Sequence, residues 1–183
     1  MRAVDGAAIV FLLGLSGAGK TTLASWLAED LGMLHLEVDQ PDEDGIDLEG
    51  LRPEWNEFAG GGQPADLARV IRGRAAGARR RGAVLSFSSE LVLDVAAIAA
   101  AEAAGIRTFV LHGTREECLA AFLERERATG RGFTRDYWAR YNDASCIQYG
   151  RPEFAPYRLG AFVGGRRRPR ADLVAEVRTR LEG

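Results

Sequence analysis

The apolar run Ala7–Leu13, AAIVFLL, leads without a break into GLSGAGKTT, and this junction narrows the possible folds more than any other stretch. The run is short, rich in branched residues and stopped by glycine, as expected of a strand buried on both faces. Immediately after it, Leu23, Trp26, Leu27 and Leu31 recur at helical spacing until Gly32, which predicts a helix over 20–31. A strand that turns through glycines into a helix is the opening unit of an α/β domain.

The rest of the chain continues that alternation. Leu34–Val38, Gly82–Phe87 and Arg107–His112 read as further strands, with Leu159–Val163 as a weaker fifth. Helical patterns fall at Pro64–Arg81, Leu91–Ala104, Arg115–Ala128 with Thr114 as N-cap, and Ala171–Leu181. The expectation is a single α/β domain over 1–183, a parallel sheet covered on both faces in three layers. Gln40–Gln63 is acidic and irregular. Thr129–Pro156 is polar and aromatic, with a short helix predicted at Arg135–Asn142. Insertions of this kind in compact domains are often lids or substrate-binding arms.

Gly14, Gly19, Lys20 and Thr21 satisfy G-x-x-x-x-G-K-[ST] in the strand-to-helix context that the motif requires. Glycines let the backbone approach an anion closely. Successive amides at Ser16, Gly17, Ala18, Gly19, Lys20, Thr21 and Thr22, together with the helix N-terminus, aim partial positive charge at phosphate oxygens. Lys20 is the only lysine among 24 basic residues. A compact ammonium fits inside such a loop, where the broad guanidinium fork of arginine would not. Lys20 is therefore expected on the β- and γ-phosphates of ATP, and the Thr21 hydroxyl on Mg2+.

Composition excludes other classes. A net charge of -2 gives no electrostatic case for nucleic acid or a membrane surface. Neither arginine cluster, Arg79–Arg81 or Arg166–Arg168, is flanked by the interleaved aromatics of a strand-stacking surface. The apolar stretch Ala7–Leu15 is followed by a glycine loop rather than a cleavage site, and no other stretch approaches membrane-spanning length. Cys118 and Cys146 make neither a metal spacing nor a disulfide framework, so a cytoplasmic protein is expected. Nothing in the sequence sets an oligomeric state.

With the loop in place, the chain resembles the small P-loop metabolite kinases, the group containing shikimate kinase and gluconate kinase. The resemblance implies a five-stranded sheet ordered 2-3-1-4-5 and a lid over 125–156. It also implies transfer of the γ-phosphoryl group of ATP to a hydroxyl of a small molecule. In that group the second strand ends in a D-x-D pair, and here the place reads Glu37-Val38-Asp39. Asp39 would then orient or deprotonate the acceptor and Glu37 would help hold magnesium through water. The alternative for Asp39 is a turn-forming acid ahead of Pro41. Arg125 opens the lid-like stretch LERERATGRGF and would neutralise developing charge, with Arg127 and Arg131 as further candidates. Ala121 stands where such kinases carry another arginine. Arg168 or Pro169, in GGRRRPR, would lie along the adenine; a solvated surface run is the other reading.

The third strand ends in serines, Ser86, Ser88 and Ser89, without the acid of motor-type NTPases. The acceptor pocket is expected from these serines and from 40–63. That segment holds seven acids (Asp42, Glu43, Asp44, Asp47, Glu49, Glu54, Glu57) against Arg52 alone, so the acceptor is expected to be neutral or cationic. Trp55 and Phe58 are expected to pack rather than bind, and His35 and His112 to be structural. Two other functions fit the same loop: an ATP-binding sensor without catalysis, and a nucleoside or nucleotide kinase.

Overall fold

The computed structural model describes residues 7–38, 57–58, 61–89 and 91–183. Strand β1 (Ala8–Gly14) is followed by α1 (Lys20–Leu31), β2 (Met33–Glu37), α2 (Pro64–Gly77), β3 (Gly82–Ser86), α3 (Val95–Ala103) and β4 (Ile106–His112). Then come α4 (Arg115–Thr129), α5 (Arg135–Tyr149), a 3-10 turn (Pro152–Tyr157), β5 (Arg158–Gly160), β6 (Phe162–Val163), β7 (Arg166–Arg167) and α6 (Arg170–Glu182). The main sheet is parallel throughout and ordered β2-β3-β1-β4-β5, as the resemblance implies.

The central strand accounts for its own hydrophobicity. Ile9, Phe11 and Leu13 face one cluster with Leu67, Ile71 and Ile98 from α2 and α3. Val10 and Leu12 face the opposite cluster with Leu23, Leu27, Phe122 and Val174 from α1, α4 and α6. Because side chains alternate along a strand, burial on both sides requires apolar residues at every position. Phe58 belongs to the first cluster, edge-on to Phe11 at 6.2 Å between ring centroids. It is a packing residue, as expected. Trp55 lies outside the described residues.

Several boundaries differ from the sequence reading, each for a local reason. Helix α2 stops at Gly77 rather than Arg81, because Arg79 takes a left-handed φ of 55° and Arg80 N–H turns back to Ala75 O at 2.8 Å. Helix α3 starts at Val95 rather than Leu91. There Asp94 caps it, accepting from Ala97 N at 2.7 Å. Thr114 caps α4 as expected, in a reciprocal capping box with Glu117. The helix expected at Arg135–Asn142 runs on to Tyr149, so most of Thr129–Pro156 is ordered helix and turn.

The predicted strand Leu159–Val163 is two elements. Arg158–Gly160 joins the sheet beside β4, whereas Phe162–Val163 leaves it and pairs antiparallel with Arg166–Arg167. The pivot is Ala161, whose N–H bonds His112 O at 2.7 Å while its own carbonyl accepts from Arg168 N at 2.9 Å. Gly164 and Gly165 both have positive φ, 56° and 75°, which is the requirement of a two-residue hairpin turn.

Candidate functional site

The loop from Gly14 to Thr21 lies at the carboxyl end of the sheet, where open α/β sheets bind ligands. Gly17 has φ 91°, and a Cβ there would collide with the backbone carbonyl of Cys118 on α4. The turn can pass under that helix only as glycine. Gly19 is the left-handed N-cap of α1, with φ 99°. No side chain caps this helix and no acid sits in its first turn. Its N-terminal dipole is thus aimed into the loop without a competing carboxylate from its own first turn.

Lys20 is buried, 7% exposed, and folds back so that Nζ donates to Gly14 O at 2.9 Å and Leu15 O at 3.1 Å. Thr21 Oγ1 donates to Glu37 Oε1 at 2.9 Å. Glu37 is the last residue of β2, two strands from β1. The first acid of the E-V-D stretch and the motif threonine therefore meet across the sheet end. Asp39 lies outside the described residues, as does most of Gln40–Gln63.

Ser16 is held at every polar atom. Its N–H donates to Asn142 Oδ1 at 2.7 Å, its carbonyl accepts from Trp138 Nε1 at 2.9 Å, and its hydroxyl lies 2.9 Å from Ser89 Oγ. Asn142 Nδ2 donates to Trp138 O at 2.9 Å, which fixes the amide so that its oxygen faces Ser16. Ser145 Oγ donates to Ser89 O at 2.6 Å. One face of α5 thus ties the loop to the segment after β3. Trp138, Asn142 and Ser145 were not singled out from sequence. Their signal was there: spacing i, i+4, i+7 beyond Thr134, an N-cap accepting from Tyr137 N.

Arg125 sits at the mouth. Its Nε and Nη2 donate to Glu126 Oε1 at 3.0 and 2.9 Å, and its guanidinium carbon is 5.2 Å from the Phe122 ring centroid. Glu126 is only 2% exposed, and Arg131 Nε approaches its other oxygen at 3.5 Å. Arg127 instead bonds Leu123 O. A cavity of about 470 Å³ is bordered by Glu37, Ser88 and Ser89 together with Phe122, Arg125 and Arg131. Ser86 does not line it; its hydroxyl is 3.0 Å from His35 Nε2. His35 is held below the ordinary histidine range by burial, which Glu37 partly offsets.

The GGRRRPR stretch divides its arginines. Arg168 donates to Gly160 O at 3.0 Å and to Glu176 Oε2 at 2.8 Å, and Pro169 precedes α6 as its N-cap. Arg168 also borders a narrow cleft with Thr22, Trp26, Leu111 and Leu173 beside the loop. Arg167, which sequence reasoning passed over, reaches the loop itself. Its Nη2 donates to Gly17 O at 2.7 Å and its Nη1 to Ala18 O at 3.3 Å, with Phe162 stacked under it at 5.3 Å. Together with Lys20, Ala121 and Arg125 it borders a smaller recess of about 100 Å³ over the loop. No group of three or more His, Cys, Asp or Glu able to hold a metal occurs among the described residues, and none of the described helices is long and apolar enough to cross a membrane.

No protein-family model matches the chain, and no curated protein matches its sequence. Solved structures do. A shikimate kinase from Bacteroides thetaiotaomicron is 17% identical with a TM-score of 0.55, over 96% of this chain and 99% of that one. A gluconokinase from Sinorhizobium meliloti 1021 is 20% identical with a TM-score of 0.51, over 96% and 92%. The APS kinase of Mycobacterium tuberculosis, solved in complex with AMPPNP and APS, is 17% identical with a TM-score of 0.52, over 97% and 99%. What they share with this chain is the P-loop kinase fold, end to end.

Proposed function

We propose that this protein is a small-molecule kinase, which transfers the γ-phosphoryl group of ATP to a hydroxyl of a small metabolite with Mg2+. The observation that carries the reading is the Thr21–Glu37 contact beside a buried Lys20 at the head of α1. It assembles a hard-oxygen pair next to a phosphate-shaped cradle. Two oxygens suit magnesium, which keeps several waters and takes its other ligands from phosphates. Thr21 and Glu37 would hold that ion, and its chemistry there is charge neutralisation on the phosphate oxygens.

The remaining roles belong to this chain. Amides of Gly17 and of Gly19 to Thr22 would cradle the phosphates, since Ser16 N–H is held by Asn142 and Ala18 N–H by Leu15 O, and Lys20 would exchange its two loop carbonyls for phosphate oxygens. Gly14 and Ser16 shape the entry to the loop. Arg125 and Arg167, bordering the recess, would meet charge spreading over the transferred group. Arg168 and Pro169 would flank the adenine from beside α1. The acceptor oxygen bonds to the γ-phosphorus as the bond to the β–γ bridging oxygen breaks. ADP leaves with that electron pair, and the hydroxyl proton passes to Asp39 and on to solvent. The segment that closes is proposed to be 125–134 within the wider 125–156, because Trp138, Asn142 and Ser145 anchor the helix beyond it. The acids of 40–63 favour a neutral or cationic acceptor.

The test is direct. Lys20→Ala should weaken MgATP binding at least tenfold, the cost of about one charge-assisted hydrogen bond. Asp39→Asn should keep MgATP affinity and abolish transfer of label from γ-labelled ATP to a metabolite pool. Unchanged ATP affinity in Lys20→Ala overturns the reading; retained function in Asp39→Asn indicates a sensor.

A further inference from the structure

From the rings that border the large cavity we infer that the acceptor is a neutral aryl alcohol: a flat aromatic ring whose short alkyl side chain carries the hydroxyl that is phosphorylated. This rests on the kinase reading and narrows its substrate.

Phe133, Tyr137 and Tyr141 follow one another at i, i+4, i+8 and all border the cavity, as do Ser88 and Ser89. Phe133 and Tyr137 are stacked, with centroids 4.2 Å apart and planes 16° from parallel. Tyr137 and Tyr141 are tilted at 4.7 Å, and Phe122 lies 11° from parallel with Tyr137 at 6.5 Å. Phe133 and Tyr137 are nonetheless 40% and 38% exposed, two of the few large apolar side chains so exposed among the described residues. Rings that were only core would be covered. These keep ring surface toward a cavity that serine hydroxyls also border.

The charges beside the rings have partners or other tasks. Arg125 and Arg131 both turn to the buried Glu126, and Glu37 accepts from Thr21. An acceptor carboxylate would have to compete for Arg131 with a carboxylate that is only 2% exposed, and for Arg125 with the transferred phosphoryl group as well. A cationic acceptor would enter beside two guanidinium groups. A neutral ring avoids both costs and gains offset or edge contacts with the tyrosine and phenylalanine faces, while its hydroxyl lies toward Ser16 and the phosphate recess. The cavity, about 470 Å³, is within the range of small-ligand sites.

The experiment compares two panels in the presence of MgATP. Benzyl alcohol, 2-phenylethanol and 4-hydroxybenzyl alcohol form one; glucose, gluconate and shikimate form the other. Binding is read by saturation-transfer NMR and transfer by label from γ-labelled ATP. Aryl alcohols should bind and accept label. Tyr137→Ala and Tyr141→Ala should each weaken that binding about fivefold to tenfold, with MgATP affinity unchanged as the check on folding. Tyr137→Phe should bind like the parent. Tighter binding of the polyols and acids, no binding of any aryl alcohol, or indifference to both alanine changes overturns the inference. Tyr137-dependent binding without label transfer supports the ring site and overturns the kinase reading instead.

Discussion

At the scale of single residues, the solitary lysine and one unexpected arginine divide the loop between them. Lys20 neutralises the inner carbonyls, Gly14 and Leu15, and Arg167 the outer ones, Gly17 and Ala18. Of the amides between those carbonyls, Ser16 N–H is held by Asn142 Oδ1 and Ala18 N–H by Leu15 O, so the cations and these bonds together fix the course of the loop backbone. Arg167 is exposed and works from a hairpin, so its contribution is electrostatic and screened by salt. Arg167→Ala should therefore weaken MgATP binding about threefold to tenfold at low ionic strength and by less at 0.5 M salt. Titration at the two salt concentrations reads this, and tighter binding would mean that the guanidinium obstructs the loop. Arg167 borders the same recess as Ala121 and Arg125.

Among the elements, α5 explains both what sequence revealed and what it hid. The three inner strands were legible because burial on two faces demands largely apolar runs, and Val10–Leu13 has no solvent face to mark with a polar residue. Helix α5 was legible for only half its length. Its buried positions are Trp138, Asn142, Ser145 and Tyr149, two of them polar, so its inward face does not look apolar. Those polar groups are buried because the loop supplies their partners, a pairing between residues more than 120 positions apart. Local pattern cannot carry such information. Arg167 was missed for the same reason, since the turn at Gly164–Gly165 that redirects it lies just beyond the expected strand Leu159–Val163 and its partners lie about 150 positions away. Asn142→Ala should leave the Ser16 N–H unpaired and cost about 1–3 kcal/mol. Trp138→Phe, which keeps a ring but loses the Nε1 bond, should cost less, though the smaller ring leaves some volume unfilled. Chemical denaturation gives the stabilities. MgATP titration should show both variants weakened at the loop, whereas a helix that only filled space would lose stability with the loop unaffected.

For the molecule as a whole, the sheet carries a pH dependence away from the loop. His35 on β2 and His112 on β4 are both half-buried, and burial is the largest cause holding each below the ordinary histidine value of 6.5. Arg158 adds to the effect at His112, while Glu117 there and Glu37 at His35 oppose it. In the unfolded chain both rings take up protons at the ordinary value, so between that pH and the lower folded values the unfolded state binds more protons. Stability then rises with pH across the window. The contribution is fully present above about pH 6.5 and is lost as pH falls through the folded values. Asp30, held below its ordinary value of 3.8 by Arg170, acts only in a more acidic range and leaves the histidine window distinct. Urea midpoints should be level from pH 8 to 7 and fall from pH 6.5 to 5. His35→Gln and His112→Gln should each flatten that fall, and together nearly remove it. Through Ser86 the His35 ring also touches β3, so His35→Gln should cost some stability at pH 8 as well, where His112→Gln, whose ring has no such contact among the described residues, should cost less.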